Sequence, residues 1–338
     1  MSGREPAVDT GRAGGLRDCS ICGESGPKVL LQLPAKRFCE LNWTYRRDFS
    51  RVLGIGDDQP FPIVECGKCG FVYAGLLPDS QFLEAVYEKV IDPEKGLFES
   101  FKPEWVAHQF RLAALFLESI SAVFPNESSL AMLDYGCGYG TLVKALSSPR
   151  TRCVGFETSQ RCRDHLRGSG IRVFSDFDEL QANGPFHGVI LSDVLEHVIN
   201  PGEVLRACHG LLVRSGLLCV SVPNFNRKFL RNTLASVKRG GNFTRGLNPW
   251  EHLNYFSPDS LEKLVHSAGF MLRRPVGPVD VGLHYGFHGW RRVRNAIASS
   301  IRLVRNVVDL PPATTTLVAQ KIEDATSQVV RAVARTHR

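Results

Sequence analysis

Short apolar runs alternate with amphipathic stretches through the middle of the chain. The run at 129–133 has the length of a strand, and the apolar positions within 142–146 recur at helical spacing directly after it. Apolar runs of strand length, each followed by an amphipathic stretch, continue to about residue 222. Two later apolar runs, near 270–276 and 314–318, supply further candidate strands. Alternating strands and helices predict an α/β fold with a doubly wound sheet.

Three glycines lie where the first of these strands meets its helix. Gly136, Gly138 and Gly140 follow Asp134 at alternate positions. Glycine tolerates unusual dihedral angles and lets a ligand approach the backbone closely. The spacing is not that of a dinucleotide loop, and no Lys-Ser/Thr pair for a triphosphate follows. The loop predicts contact between the N–H groups at the helix start and a nucleotide or a carboxylate, with a plain strand–helix turn as the alternative.

Acidic residues follow the next strands. Glu157 ends the second strand, 21 residues beyond Gly136, about where a carboxylate binds a ribose diol. Asp176 and Phe177 follow the third strand, a position from which an adenine can be hydrogen-bonded and covered. The same two residues also suit an ordinary helix cap.

Two C-x-x-C-G knuckles near the N-terminus predict a metal site. Cys19 and Cys22 form the first, and Cys66 and Cys69 the second, with 43 residues between them. Four thiolates can close a tetrahedral zinc site, and the length between the knuckles requires a substructure looped out there. Such zinc would hold the fold, because four Cys ligands leave no open position for chemistry. Free-thiol turns and a redox pair are the alternatives.

Composition narrows the class of protein. Among 338 residues, 43% are hydrophobic and 22% charged, which is ordinary for a globular protein. No run of eighteen apolar residues predicts a membrane span, and the polar N-terminus lacks the apolar core of a signal peptide. We therefore expect a cytoplasmic protein, in which the ten cysteines serve as metal ligands and core residues rather than in disulfides.

The net charge of +7 is concentrated in two stretches. A predicted basic lid spans 225–250, and a predicted basic helical insertion spans 284–308. Such charge favours an anionic partner, although a solvated positive face is the alternative. The insertion has apolar residues at helical spacing, so it either contacts a membrane surface peripherally or packs on its own domain.

These patterns divide the chain into five parts. They are a disordered tail at 1–17, a zinc-ribbon-like module at 18–75, a helical connector at 76–126, a main α/β domain at 127–322 and a C-terminal tail at 323–338.

Taken in order, the motifs of the main domain resemble class I methyltransferases of the ubiquinone-biosynthesis-like group, which use S-adenosylmethionine (SAM). The resemblance rests on Asp134 with its three glycines, Glu157, and the segments 193–198, 221–224 and 252–257. It implies a Rossmann-like sheet of seven strands. The knuckles in front are similar to those that precede some small-molecule and sugar methyltransferases.

The resemblance also implies roles for residues at matching positions. Asp134, Gly136, Cys137, Gly138 and Gly140 would hold the methionine part of SAM, Glu157 its ribose, Asp176 and Phe177 its adenine, and Asp193 would lie beside the sulfonium.

Transfer of an activated methyl group mainly requires alignment of acceptor, methyl and sulfur. A hydroxyl acceptor would also require a base, for which His197 and His252 are candidates, although either also suits a core or cap position.

Asp193, Glu196 and His197 have the spacing of one helical face. With His252 they resemble the site of metal-dependent O-methyltransferases, with Asp as the first ligand, and predict Mg²⁺ or Mn²⁺. The same residue string occurs in relatives that need no metal.

We therefore expect a SAM-dependent methyltransferase with a small-molecule acceptor, which is a sugar, a nucleotide-linked or a polyketide-like biosynthetic intermediate. The positive charge of the two basic stretches is compatible with an anionic acceptor. Transfer to oxygen is favoured over transfer to carbon. One rival is an RNA methyltransferase, but only Phe225, Phe229 and Phe243 are available for stacking in the lid. Another rival is a non-catalytic binding protein with the same fold, against which the intact glycine loop and Glu157 argue.

Overall fold

The computed structural model describes residues 16–40, 48–77, 80–239, 247, 250–273 and 314–322. The predicted tail up to residue 15, positions 240–246 and 248–249 of the predicted lid, the predicted insertion at 284–308 and the predicted tail at 323–338 lie outside the described residues.

Strands and helices alternate as expected along the main domain. The strands are β1 (Lys28–Pro34), β2 (Pro60–Glu65), β3 (Val72–Ala74), β4 (Leu130–Tyr135), β5 (Thr151–Phe156), β6 (Val173–Phe174), β7 (Phe186–Ser192), β8 (Leu212–Pro223), β9 (Asn254–Tyr255), β10 (Phe270–Arg273) and β11 (Thr314–Lys321). The α-helices are α1 (Ala35–Glu40), α2 (Phe49–Leu53), α3 (Ser80–Ala85), α4 (Pro93–Ser100), α5 (Pro103–Val123), α6 (Thr141–Leu146), α7 (Gln160–Leu166), α8 (Phe177–Ala182), α9 (Pro201–Leu211), α10 (Arg227–Lys238) and α11 (Pro258–Ser267), and a π-helical turn at Val86–Val90 follows α3.

The main sheet has seven strands in the order β10-β11-β8-β7-β4-β5-β6. The five strands from β6 to β8 are parallel, and β11 and β10 complete the sheet antiparallel. This topology confirms the predicted Rossmann-like α/β fold. The strand order reverses between β4 and β7, and in such sheets ligands bind at the carboxyl ends of the strands beside that reversal.

The central strands are apolar because both faces of the sheet are covered. Val189, Ile190 and Leu191 of β7 are fully buried, as a parallel strand between two helical layers requires. On one face α5 contributes Phe116 and Ile120 to the core, and both are fully buried. The helical connector predicted at 76–126 therefore includes the long helix α5, which covers the sheet next to the glycine loop.

A second sheet joins the N-terminal module to the main domain. Its antiparallel order is β1-β2-β3-β9, so its last strand comes from residues 254–255, far along the chain. Apolar side chains of α10 pack on this unit, and Trp250 stacks on Phe61 with ring centroids 4.4 Å apart. The described part of the segment predicted as a lid therefore contacts the N-terminal module through α10.

Arg17 belongs to the folded structure, although the sequence pattern places it in the tail. Its backbone N–H donates to the Gly75 carbonyl over 2.9 Å, and its guanidinium lies 4.7 Å from the centre of the Tyr73 ring.

None of the helices in the described ranges combines the length and hydropathy that crossing a bilayer requires.

Candidate functional site

The glycine loop follows β4 and requires glycine for its backbone. Gly136, Gly138 and Gly140 all have positive φ, at 79°, 51° and 77°, a region that other residues enter only at a cost. A Cβ on Gly136 would lie 2.6 Å from Cγ2 of Val194, whereas a Cβ on Gly138 would have no atom within 4 Å. The loop is therefore packed at its start and open at its middle.

A cavity of about 350 Å³ lies at the carboxyl ends of the strands, beside this loop. Its size falls in the range of small-molecule sites. The lining includes Asp134, Gly136, Cys137, Gly138, Glu157, Ser192 and Asp193 from the main domain, and Tyr87, Trp105 and Gln109 from the segment before it.

The cavity includes six of the nine residues that the sequence proposes for SAM. Gly140, Asp176 and Phe177 are not among its lining residues. Gly140 instead forms the N-cap of α6. Asp176 caps α8, because its Oδ1 accepts from the Glu179 N–H over 2.9 Å. Contact of Asp176 and Phe177 with an adenine stays a prediction.

Glu157 is held in a fixed orientation at one end of the cavity. One carboxylate oxygen accepts from the Gly138 N–H and the other from the Ser159 N–H, each over 2.8 Å. Each oxygen has a second lone pair, so the carboxylate can still accept hydroxyl protons from a ligand. This arrangement suits a ribose diol.

Asp134 gives the cavity a second carboxyl group, and it is nearly inaccessible. It is 2% exposed, and its Oδ2 has no hydrogen-bond partner among the described residues. Burial, reinforced by the charge of Glu157, raises the pKa of Asp134 to about 8. A cationic group of a ligand would supply the missing partner.

The segment before the main domain, predicted as a connector, closes over the cavity. Arg161 donates to the backbone carbonyls of Tyr87 and Ile91, and Ser159 Oγ donates to Glu88 over 2.7 Å. These contacts hold the π-helical turn against the start of α7. Nothing local in the sequence identifies Tyr87 as a site residue, because its role arises from contacts with residues more than 70 positions away.

Tyr87 connects the cavity with His197. Its hydroxyl lies 2.8 Å from Nδ1 of His197, and the same nitrogen lies 2.9 Å from the Glu251 carbonyl. A carbonyl can only accept, so this contact favours the tautomer that carries the proton on Nδ1. The lone pair is then on Nε2, which faces a Glu196 oxygen over 3.9 Å.

The buried Glu196 and the half-buried His197 and His252 form a cluster beside Tyr87. One donor atom from each lies within 4.8 Å of the others, and the two imidazole rings are 4.7 Å apart at their centres. Burial and the neighbouring Asp193 raise the pKa of Glu196 well above its usual value, and both its oxygens lack a partner in the described part of the chain. Burial and His252 lower the pKa of His197 to about 3, so its imidazole is neutral.

The backbone of this cluster differs from the sequence expectation. Residues 193–198 form a turn rather than a helical face, because Asp193 has a φ of 56° and lines the cavity. The turn still brings Glu196 and His197 together, through the bond from the His197 N–H to the Val194 carbonyl. The three donors that converge are therefore Glu196, His197 and His252, without Asp193.

The four predicted zinc ligands converge at the N-terminal module. Sγ of Cys19 lies 3.5 Å from that of Cys69, and Sγ of Cys22 lies 3.5 Å from that of Cys66. Tetrahedral zinc with sulfur at about 2.3 Å requires separations of about 3.8 Å. Spacing and chemistry both fit zinc, and the cluster lies apart from the cavity lining.

The chain is similar in sequence to known methyltransferases. A family model described as a methyltransferase domain matches residues 105–274. A ubiquinone biosynthesis O-methyltransferase of Cereibacter sphaeroides is 29% identical over 218 residues, covering 56% of this chain and 85% of that protein. The ubiquinone biosynthesis O-methyltransferase of a Caulobacter strain is 29% identical over 160 residues, covering 44% of this chain and 62% of that protein. The magnesium protoporphyrin IX methyltransferase of Synechocystis, solved with bound S-adenosylhomocysteine (SAH), is 16% identical with a TM-score of 0.42, covering 72% of this chain and 100% of that one.

Proposed function

Since this chain belongs to the methyltransferase-domain family and is a SAM-dependent methyltransferase, we propose that it methylates an oxygen atom of a small-molecule acceptor. The relatives that match most of the main domain are O-methyltransferases by name. The observation that carries the proposal is the layout of the cavity. The lining contains Glu157 and the glycine loop, which suit the donor, and Tyr87, whose hydroxyl lies 2.8 Å from His197 beside His252.

The residues around the cavity would bind, align and shield the reactants. When bound, SAM supplies a methyl group on a cationic sulfur, and an acceptor oxygen attacks this carbon as the carbon–sulfur bond breaks and its electron pair stays on sulfur. Glu157 would hold the ribose, and Asp134 would face the cationic end. The turn at Val86–Val90 and α5 cover the cavity and would exclude water. Alignment in such an enclosed site provides most of what methyl transfer needs.

A hydroxyl acceptor must lose its proton during transfer. His252 is the group that we propose for accepting it, with the ring of His197 beside it at a centre-to-centre distance of 4.7 Å. Burial and His252 lower the pKa of His197 to about 3, which makes this ring a weak base. The Glu251 carbonyl also favours the proton on Nδ1, the nitrogen that Tyr87 contacts, so His197 has no lone pair towards Tyr87. Burial also raises the pKa of Tyr87, so its hydroxyl stays protonated and can donate a hydrogen bond.

A metal is a second use of the same cluster, and we propose that Glu196, His197 and His252 bind a divalent cation. Support comes from the two buried Glu196 oxygens without partners in the described ranges, and from the carbonyl on His197 Nδ1. A metal-bound histidine usually donates its other N–H to such a group. Two imidazoles with one carboxylate favour Mn²⁺ over Mg²⁺.

Replacement of Glu196 by glutamine tests the metal proposal. We expect Mn²⁺ to bind the dialysed wild type and to bind Glu196→Gln at least 100-fold more weakly. Without metal the variant should be as stable as the wild type or more so, because a neutral amide is less costly to bury than an unpartnered carboxylate. Glu203→Gln, which changes an exposed glutamate on α9, is the control. Equal Mn²⁺ affinity of wild type and Glu196→Gln, or no binding to either, would contradict a metal site.

The pH dependence of SAM binding tests the role of Asp134. Below pH 8 the buried carboxyl group is protonated and must lose its proton to pair with a cation. SAM affinity should therefore rise by about tenfold per pH unit between pH 6 and 7.5, and level off above about pH 8. Calorimetry in buffers of different ionisation enthalpy should detect proton release. Asp134→Asn should remove this component and leave only the titration of the ligand itself; an unchanged pH profile in the variant would refute the assignment.

The proposed reaction is tested with radiolabelled SAM and an acceptor panel. The panel contains a catechol, a nucleotide sugar and an RNA oligonucleotide, each with Mn²⁺, with Mg²⁺ and with chelator. Methylation of the catechol or the sugar on oxygen supports the proposal. RNA is included because α10 exposes Arg227, Lys228, Arg231 and Lys238. Methylation of RNA alone would favour the rival function, and SAM binding without transfer to any acceptor would favour a non-catalytic binding protein.

We further propose that the Cys19, Cys22, Cys66 and Cys69 cluster holds a structural zinc ion, which supports the fold and takes no part in methyl transfer.

A further inference from the structure

We infer that Arg17, two residues before the first zinc knuckle, is a positioning residue that fixes the Glu196–His197–His252 cluster through the side chain of Asn254. This inference deepens the proposed function, since it rests on that cluster facing the acceptor.

Arg17 contacts the segment that carries His252. Its Nη2 donates to the Leu253 carbonyl over 2.6 Å and to Oδ1 of Asn254 over 2.9 Å. Its own carbonyl accepts from the Tyr73 hydroxyl over 3.3 Å, which anchors the arginine to the N-terminal sheet. One guanidinium nitrogen thus links the N-terminal module to residues 236 and 237 positions further along the chain.

Asn254 passes this constraint on to the segment that carries Glu196 and His197. It is fully buried, and its Nδ2 donates to the carbonyls of Leu195 and Val198 over 2.9 and 2.7 Å. An amide side chain can be turned by 180°, which exchanges its oxygen and nitrogen. Arg17 favours one orientation only, because a guanidinium donates and therefore requires the amide oxygen.

The two segments are also joined through their backbones. The N–H groups of Leu253 and Asn254 both donate to the Glu196 carbonyl, over 2.7 and 3.1 Å. His252 directly precedes this pair, so its position relative to Glu196 and His197 depends on these bonds. Arg17 and Asn254 add side-chain hydrogen bonds to these backbone bonds.

The chemistry of Arg17 argues against a role in packing alone. Its Nε and Nη1 are buried and have no hydrogen-bond partner in the described part of the chain. Burying unpaired N–H groups of a cation costs free energy, and an apolar side chain of similar length would avoid that cost. Nη2 donates to both the Leu253 carbonyl and the Asn254 amide oxygen, which an apolar side chain such as methionine cannot do.

The experiment compares Arg17→Met and Arg17→Lys with Arg152→Met, which removes an exposed arginine of β5. In Arg17→Met we expect amide hydrogen exchange at Leu253 and Asn254, measured by NMR, to accelerate at least tenfold. Exchange in β4 and β5, zinc content and SAM affinity should stay within twofold of the wild type. The initial rate of catechol or nucleotide-sugar methylation should fall at least 30-fold. Arg17→Lys should recover part of both losses, because an ammonium can still donate to the carbonyl, and Arg152→Met should change neither.

The outcomes separate this inference from the proposed function. If Arg17→Met loses zinc, the Arg17→Lys variant is used in its place. Accelerated amide exchange confined to residues 251–254 in that variant supports the positioning role of Arg17. Exchange that accelerates across the whole protein, or stays unchanged at Leu253 and Asn254, overturns the inference. If the wild type methylates no acceptor, the proposed reaction fails while the exchange pattern still tests Arg17.

Discussion

Gly138→Val is expected to fold, with a loss of stability of about 1–2 kcal/mol, and to bind SAM at least 100-fold more weakly than the wild type. The new side chain would point into open space, since a Cβ on Gly138 meets no atom within 4 Å. That space is the cavity, because Gly138 belongs to its lining. A 100-fold loss corresponds to about 2.7 kcal/mol, which steric exclusion of a ligand readily produces.

Backbone strain must be separated from ligand exclusion in this test. The φ of 51° at Gly138 costs a valine about 1–2 kcal/mol wherever it lies. Gly168→Val is the matched control, because Gly168 also has positive φ and open space around its Cβ, but is absent from the cavity lining. The control should show a similar decrease in thermal stability and unchanged SAM affinity. Gly136 is a less suitable position, because its Cβ would collide with Val194.

If Gly138→Val bound SAM as tightly as Gly168→Val, the donor would not lie against the glycine loop. Isothermal titration calorimetry with SAM, together with the melting temperature of each ligand-free protein, distinguishes these results.

Cys66→Ser is expected to reduce the zinc content from about one ion per chain to nearly none, and to lower the melting temperature by about 10 °C or more. Cys66 is 2% exposed, and its Sγ lies 3.5 Å from that of Cys22. A structural zinc site contributes its binding energy to folding, so its loss should loosen the second sheet that β9 shares with β1 to β3.

The control for this change is Cys208→Ser in α9. Cys208 is also buried, but it lies outside the four-cysteine cluster. The Cys208→Ser variant should lose some stability, because it buries a hydroxyl group, and should keep its full equivalent of zinc. Metal analysis of both proteins is the measurement. A full equivalent of zinc in Cys66→Ser, or equal zinc loss in both variants, would contradict the proposed ligand set.

Local patterns predicted the parts of the site that depend on neighbouring residues. The glycine loop and Glu157 lie at strand ends whose hydrophobic patterns are clear, so their meeting at the cavity followed from the parallel sheet. The knuckles were predicted because ligand spacing in C-x-x-C-G is fixed by one tight turn. Gly23 and Gly70 adopt that turn with φ of 71° and 72°.

Other features depend on contacts that no local pattern contains. Tyr87 reaches the cavity through bonds to α7 and His197, and Arg17 donates to Asn254, 237 positions further along the chain. Residues 193–198 have helical spacing in the sequence, but the positive φ of Asp193 converts them to a turn. In each of these places tertiary contacts override the local preference of the sequence.

A crystal structure of the full chain with SAH tests the assignment of the cavity most directly. SAH is the unreactive product, so no acceptor is required. We predict that its ribose hydroxyls lie within hydrogen-bond distance of Glu157, that its amino-acid end lies against Gly136 and Gly138, and that its sulfur points towards Tyr87 and Asp193. SAH bound elsewhere, or a cavity that stays without ligand at concentrations well above the dissociation constant, would contradict the proposed site.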